Sequence, residues 1–308
     1  MNTYRARTIK RERRSHDRID QLDKQILDVL RVDHPQSVRH VFYRMTDPRL
    51  PEPVEKSDRG YRHVQDRCVK LRRSGALPFG WITDATRRGY FTYTYQSAED
   101  FLRSVASLYR ADLWKNSNCY CEVWVESRSI AGVIQDDCKE LAVSLYPAGG
   151  FSSITLTFEA ASLINATNQG QPVVIFYVGD YDPAGVLIDV AIERELRLHL
   201  DPRIDLTFRR LGITQEQIEM YDLPTKPRKE GDRRSLQVAA TVEAEAMPAA
   251  TLRRILRSEI ESLLPADALM IAKVAEESER YNLNWLANLS KGLAEDAAAA
   301  DDEDDEST

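Results

Sequence analysis

The run from Val173 to Gly185, VVIFYVGDYDPAG, constrains this chain most: six β-branched and aromatic residues stop abruptly at two aspartates, a proline and a glycine. An apolar run of that length, followed by a turn and the helical spacing of Val186 to Leu200, predicts a buried strand feeding a helix. The carboxylates then fall at the strand's C-terminal end. Side chains alternate along an extended chain, so Asp180 and Asp182 point to one side, where hard oxygen ligands could share one or two Mg2+ ions. The same two aspartates also suit a plain helix cap, with Pro183 in the first turn.

Upstream and downstream, the pattern repeats with variations. From Cys121 onward apolar runs alternate with helical spacing: a strand at Glu122 to Val125, a helix through Ala142, a strand at Ser144 to Pro147 and a helix from about Ile154 to Thr167. That alternation predicts an α/β fold with a largely parallel sheet flanked by helices. Strand and loop material follows to Arg234, and Thr251 to Leu264 and Ala266 to Leu289 read as closing helices. The N-terminal third differs. Ile19 to Val32 places Ile19, Leu22, Ile26, Val29 and Leu30 on one helical face, and Val38, Val41, Phe42 and Met45 repeat the spacing after Pro35. A third helix, Tyr61 to Arg73, is stopped by Gly75 and is followed by the aromatic, β-rich segment ALPFGWITDATRRGYFTYTY. Three short helices and then a β wing is the order of a winged helix. The expected division is a basic arm over 1–18, a winged-helix domain over 19–95, a helical connector over 96–118, an α/β domain over 119–292 and a disordered acidic tail over 293–308.

Charge is unevenly placed. The net charge is −7, yet AEDAAAADDEDDEST at the C-terminus carries eight acids and no base, which leaves the remainder close to neutral. Bases gather at Arg5 to Arg14, Arg59 to Arg73 and Lys226 to Arg234, as on a DNA-contacting surface, although a solvated charged face is the ordinary use of any one cluster. No apolar run is long enough to span a membrane, and no apolar segment follows the basic N-terminus, so a cytoplasmic, nucleoid-associated protein is expected. Cys68, Cys119, Cys121 and Cys138 form no CxxC pair and the histidines no HExxH, which argues against a zinc ribbon or zincin.

Glu126 ends the first apolar strand of the α/β region, in CEVWVESRS, and a parallel sheet delivers it to the same edge as Asp180 and Asp182. VWVES followed by VGDYDPAG resembles the metal site of the topoisomerase-primase (Toprim) fold, and the Gly149-Gly150 turn resembles its glycine turn, where backbone N–H groups could face phosphate. The preceding region resembles the CAP-like winged helix of the type IIB topoisomerase A subunit and of its relative, the meiotic double-strand-break transesterase. That family carries S-x-R-x-x-Y-Y. Here Ser37, Arg39, Phe42 and Tyr43 occupy the pattern, so Tyr43 takes the nucleophile's place and Phe42 replaces the first tyrosine. Val242 to Pro248, VEAEAMP, resembles a glutamate-containing segment late in the family, whereas Ser127 stands where the family has a lysine.

The resemblance implies Mg2+ held by Glu126, Asp180 and Asp182, attack by Tyr43 on a backbone phosphate of double-stranded DNA, and a homodimer in which each tyrosine meets the other subunit's metal site. It also implies a separate ATPase subunit for strand passage, or a stand-alone relative that only cleaves. The residues add their own argument. Tyr43 lies off the stripe of Val38, Val41, Phe42 and Met45, with Arg39 one turn earlier on its face. A phenol ionises near pH 10, so attack needs help, and Arg39 could stabilise phenolate and phosphate alike. His40 is a candidate proton acceptor or a packing histidine. Arg62, Lys70, Arg72, Arg73, Arg87 and Arg88 are expected to hold the phosphate backbone, with Lys226, Arg228 and Lys229 assisting. Two other readings stay open: a hydrolytic Toprim nuclease using metal-activated water, and a non-catalytic DNA-binding or regulatory protein with a remnant site.

Overall fold

Four parallel strands, β1 (Tyr120–Val125), β2 (Ser144–Pro147), β3 (Val173–Val178) and β4 (Leu206–Gly212), form one sheet in the order β2-β1-β3-β4. The computed structural model describes residues 14–83, 92–150, 154–168, 170–227, 238 and 240–305 of the chain. All six residues of β3 are buried, as an unalternated apolar run requires of a central strand covered on both faces. Val174, Phe176 and Val178 face one core, and Val173, Ile175 and Tyr177 face the other. Truncating Phe176 to alanine would cost about 3–5 kcal/mol, because a full ring would leave a cavity there. Val125 pairs with Val178, so Glu126 and the Gly179-Asp180 turn leave the sheet side by side.

Helices cover both faces. α6 (Ile154–Thr167) and α7 (Gly185–His199) pack over the face that carries Trp124 and Tyr177. The opposite face is shared by α5 (Arg128–Glu140), α9 (Ala249–Glu261) and three N-terminal helices, α1 (His16–Val32), α2 (Val38–Met45) and α3 (Asp58–Arg73). Ser15, Ser37 and Ser57 cap these three helices by accepting a backbone N–H from the first turn, which ends each at the position where the apolar spacing begins. One continuous apolar core therefore runs from Leu22, Ile26 and Leu30 through Val41 and Met45 to Val123 and Phe176. Gly60 lets α3 approach the preceding loop, since a Cβ there would sit 1.9 Å from the Glu55 carbonyl oxygen.

Several expectations change. The connector is helical only over α4 (Ala98–Ala106); beyond it the chain turns, and Trp114 donates its Nε1–H to the Leu141 carbonyl. Between β4 and β5 (Lys226–Pro227) lies a short helix, α8 (Gln215–Met220), closed by a Thr214/Gln217 capping box. β5 pairs antiparallel with β6 (Ala240–Thr241). The closing helix α10 is continuous over Ala268–Asp305, so the tail expected to lack structure is helical as far as Asp305. No β ladder forms among the described residues of the expected wing, where Phe79–Trp81 makes a 3-10 turn and Ile82 a single bridge to Gln36. The rest of that segment, with Arg87 and Arg88, lies outside the described residues, as do Arg228 and Lys229. Among the described residues no helix is long and apolar enough to cross a membrane.

Candidate active site

At the C-terminal edge of the sheet a cavity of about 890 Å³ opens between α2, α3 and the loop after β3. Arg39 from α2, Arg72 from α3, Ser127 and Ser129 from the start of α5, Asp180 and Asp182, Lys226, and Glu243 and Glu245 all line it. The two halves of the chain thus contribute to one polar site.

The acidic loop is held by its backbone. Arg210 on β4 donates to the carbonyls of Gly179, Asp180, Gly185 and Ile213 and pairs with Asp189 at 2.7 Å. The Asp182 Oδ1 accepts from the N–H groups of Ala184 and Gly185 at 2.8 and 2.6 Å, so one oxygen does cap the turn into α7 while the residue still borders the cavity. Asp180 accepts from the Ala244 N–H at 2.8 Å. Burial, with Glu126 and Glu245 close by, pushes the Asp180 carboxyl up to about 8.

Glu126 is turned inward rather than into the cavity. Its Oε2 accepts from the Asp180 N–H at 2.9 Å, and burial raises its pKa, with Asp182 adding to the effect. A Cβ at Gly179 would meet the Tyr177 hydroxyl at 2.5 Å and the Glu126 Oε2 at 2.8 Å, so any larger residue would displace one of those side chains. The Gly149-Gly150 turn corrects another expectation: both N–H groups donate to the Glu126 carbonyl, so they brace the end of β1 and are not presented to a phosphate. Among the described residues no three acidic, histidine or cysteine side chains are already gathered as a metal cluster. The donor set still suits Mg2+ in kind: every candidate is a hard carboxylate oxygen, and Glu126 and Asp180, raised first by burial and then by neighbouring carboxylates, would be held ionised by a divalent cation.

Tyr43 departs furthest from the sequence reading. It is 3% exposed, belongs to the core and does not line the cavity. A single-stripe argument fails on α2 because this eight-residue helix is enclosed on nearly every side, with His40, Val41, Phe42, Tyr43 and Met45 all buried. Lys56 and Lys226 lie 5.6 and 5.9 Å from the Tyr43 ring centroid, and Phe42 packs against it at 5.4 Å. Burial and the neighbouring Glu243 carboxylate raise the phenol's pKa well above its ordinary value, and Arg39 only partly offsets them. Arg39 itself pairs with Glu243. His40 is a packing residue: its Nδ1 meets the Ser37 hydroxyl at 2.9 Å, and burial, with Arg253 and Arg44 nearby, pushes it down to about 3.

The basic residues of α3 divide. Arg62, Lys70 and Arg73 are exposed, whereas Arg72 donates to the carbonyls of Phe79 and Ile82 and so braces the following loop while lining the cavity. Glu243, Glu245 and Arg210 were not singled out by the sequence. The VEAEAMP segment carried a signal for the first two, but nothing in the order of residues says that it folds back onto the acidic loop. Glu245 is buried, accepts from the Ser127 hydroxyl at 3.2 Å, and has its pKa raised by burial. No family model, curated protein or solved structure matches the chain.

Proposed function

We propose that this chain is a Mg2+-dependent DNA-cleaving transesterase of the type IIB topoisomerase A-subunit kind, with a winged-helix region joined to a Toprim domain. One observation carries the reading: Arg39, one helical turn from Tyr43, borders the same cavity as Asp180 and Asp182. Glu126, Asp180 and Asp182 would hold Mg2+, which when bound neutralises charge on a phosphate. Arg39 and Lys226 supply fixed positive charge on the α2 side. The Tyr43 oxygen forms a bond to phosphorus, the bond from phosphorus to the 3′ oxygen breaks, the phenolic proton leaves to solvent and the 3′ oxygen takes one up. One phosphodiester replaces another, and no outside energy is needed. Exposed Arg62, Lys70 and Arg73 on α3 suit contacts to the DNA backbone. Because Arg39 and the acidic loop border one cavity of a single chain, the proposed site combines tyrosine and metal ligands of the same subunit, where the resemblance implies an exchange between two. The proposed assembly is a homodimer, served by a separate ATPase subunit where strand passage occurs.

The test is a covalent adduct. Supercoiled DNA incubated with the protein and Mg2+, then denatured, should carry protein on its ends, and Tyr43→Phe should carry none. A second reading, hydrolysis by metal-activated water, is favoured by the position of Tyr43, which is buried and does not line the cavity. Cleavage by Tyr43→Phe at the wild-type rate, without an adduct, would establish that reading and remove the first.

A further inference from the structure

The Glu243 carboxylate sits between two cations. Its Oε1 accepts from the Lys226 ammonium at 2.9 Å and its Oε2 accepts from the Arg39 guanidinium, all three lining the cavity. The same carboxylate, after burial, helps to hold the Tyr43 phenol in its neutral form. Lys56, fixed by the carbonyls of Pro224 and Thr225 at 2.7 and 3.0 Å, also lies over the tyrosine ring. Two ammonium groups, Lys56 and Lys226, therefore lie over the Tyr43 ring, and Glu243 pairs with Lys226 and with Arg39.

A phosphodiester group carries one negative charge on two non-bridging oxygens, as a carboxylate does. A guanidinium and an ammonium that grip one carboxylate fork would grip those two oxygens equally well. We propose that Glu243 holds the place of a backbone phosphate in the resting protein, and that Arg39 and Lys226 form the phosphate-binding pair it keeps occupied. Nucleic acid binds there by displacing Glu243, which at once brings phosphorus next to the Tyr43 hydroxyl and removes the carboxylate that opposes its ionisation. This inference rests on the proposed transesterase reading and adds the phosphate site and its internal competitor.

The experiment is a fluorescence-anisotropy titration of a duplex of about 30 base pairs across a range of salt concentrations, with the slope against salt counting phosphate contacts. Glu243→Gln keeps the shape and an acceptor for Arg39 but loses the charge. It should bind roughly tenfold more tightly and steepen the salt slope by about one. Arg39→Gln and Lys226→Gln should each weaken binding, and in the triple variant the gain from Glu243→Gln should vanish. A gain that persists in the triple variant reports only the loss of one negative charge and overturns the proposal, as does Glu243→Gln binding no more tightly than wild type. Unchanged affinity with loss of the covalent adduct would make Glu243 the proton acceptor, which also overturns it. The parent reading fails separately: if wild type gives no adduct while Glu243→Gln still binds more tightly through Arg39 and Lys226, the phosphate site stands and the transesterase does not.

Discussion

The backbone N–H of Asp180 donates to the Glu126 carboxylate at 2.9 Å, tying the acidic loop to the end of the neighbouring strand. Glu126→Gln keeps an acceptor at that point and should cost little, whereas Glu126→Ala removes the acceptor of a half-buried N–H and should cost about 1 kcal/mol by urea unfolding. Mg2+ should raise the melting temperature of wild type, by the equivalent of about 2.7 kcal/mol at a hundred times Kd, and the rise should shrink in both variants. Equal responses to Mg2+ in all three proteins would exclude Glu126 as a ligand.

Crowding at Asp180 opposes its ionisation, through burial first and then Glu126 and Glu245. Asp180→Asn removes the charge and retains the oxygen that accepts from Ala244. Without Mg2+ the variant should be about 1–2 kcal/mol more stable than wild type near pH 8 and should have lost cleavage, the trade expected of a site built for function. Thermal melts in EDTA, set beside the adduct assay, read both effects.

His40 gives the protein a defined acid sensitivity. Its folded value of about 3 lies below the unfolded 6.5, so between those limits the unfolded chain binds the extra proton and stability falls as pH falls. From pH 7 to pH 5 the loss from this group should approach about 2 kcal/mol. His40→Gln should flatten that part of the profile in urea midpoints taken across the range, and an unchanged profile would assign the acid sensitivity elsewhere.

Gly60 has no room for a methyl group. The Cβ of Gly60→Ala would lie 1.9 Å from a backbone oxygen and 2.9 Å from the Val54 side chain, so α3 or its preceding loop must move. A loss of about 3 kcal/mol or more is expected in urea unfolding, at the upper end for overpacking; if the proposed DNA contacts of Arg62, Lys70 and Arg73 on α3 exist, duplex affinity should fall with it.

Tyr43→Phe should leave stability within about 1 kcal/mol, since the ring keeps its packing against Phe42 and only a hydroxyl beside Glu243 is lost. Its circular dichroism and melting curve should overlay those of wild type. Loss of the adduct is then a statement about chemistry.

The sheet and most of the helices were legible because their signals are local. β3 reads as a buried strand from six consecutive residues, and the three N-terminal helices from their apolar spacing and stop signals. Asp180 and Asp182 were legible for the same reason, since a strand's end is where side chains reach a shared edge. The environment of Tyr43 was not. Periodicity identifies the face turned to one partner, but α2 has neighbours on several sides, and the residues that cover Tyr43 come from positions 56, 226 and 243. Arg72 looked like its exposed neighbours because composition cannot distinguish a guanidinium that meets solvent from one that closes a loop. Glu243 and Glu245 needed the tertiary fold, which brings residues over 60 positions downstream back to the acidic turn.

Arg210 binds the acidic loop through carbonyl oxygens alone and spends its ion pair on Asp189. The loop's shape is therefore shared between a cation that holds its backbone and carboxylate oxygens that accept from backbone N–H groups. An amide at Asp180 or Asp182 keeps an accepting oxygen for those N–H groups, so it changes the charge of the loop with little change in the bonds that shape it. Loss of the Arg210 side chain would therefore loosen the loop at four carbonyls at once while leaving the carboxylates in the chain.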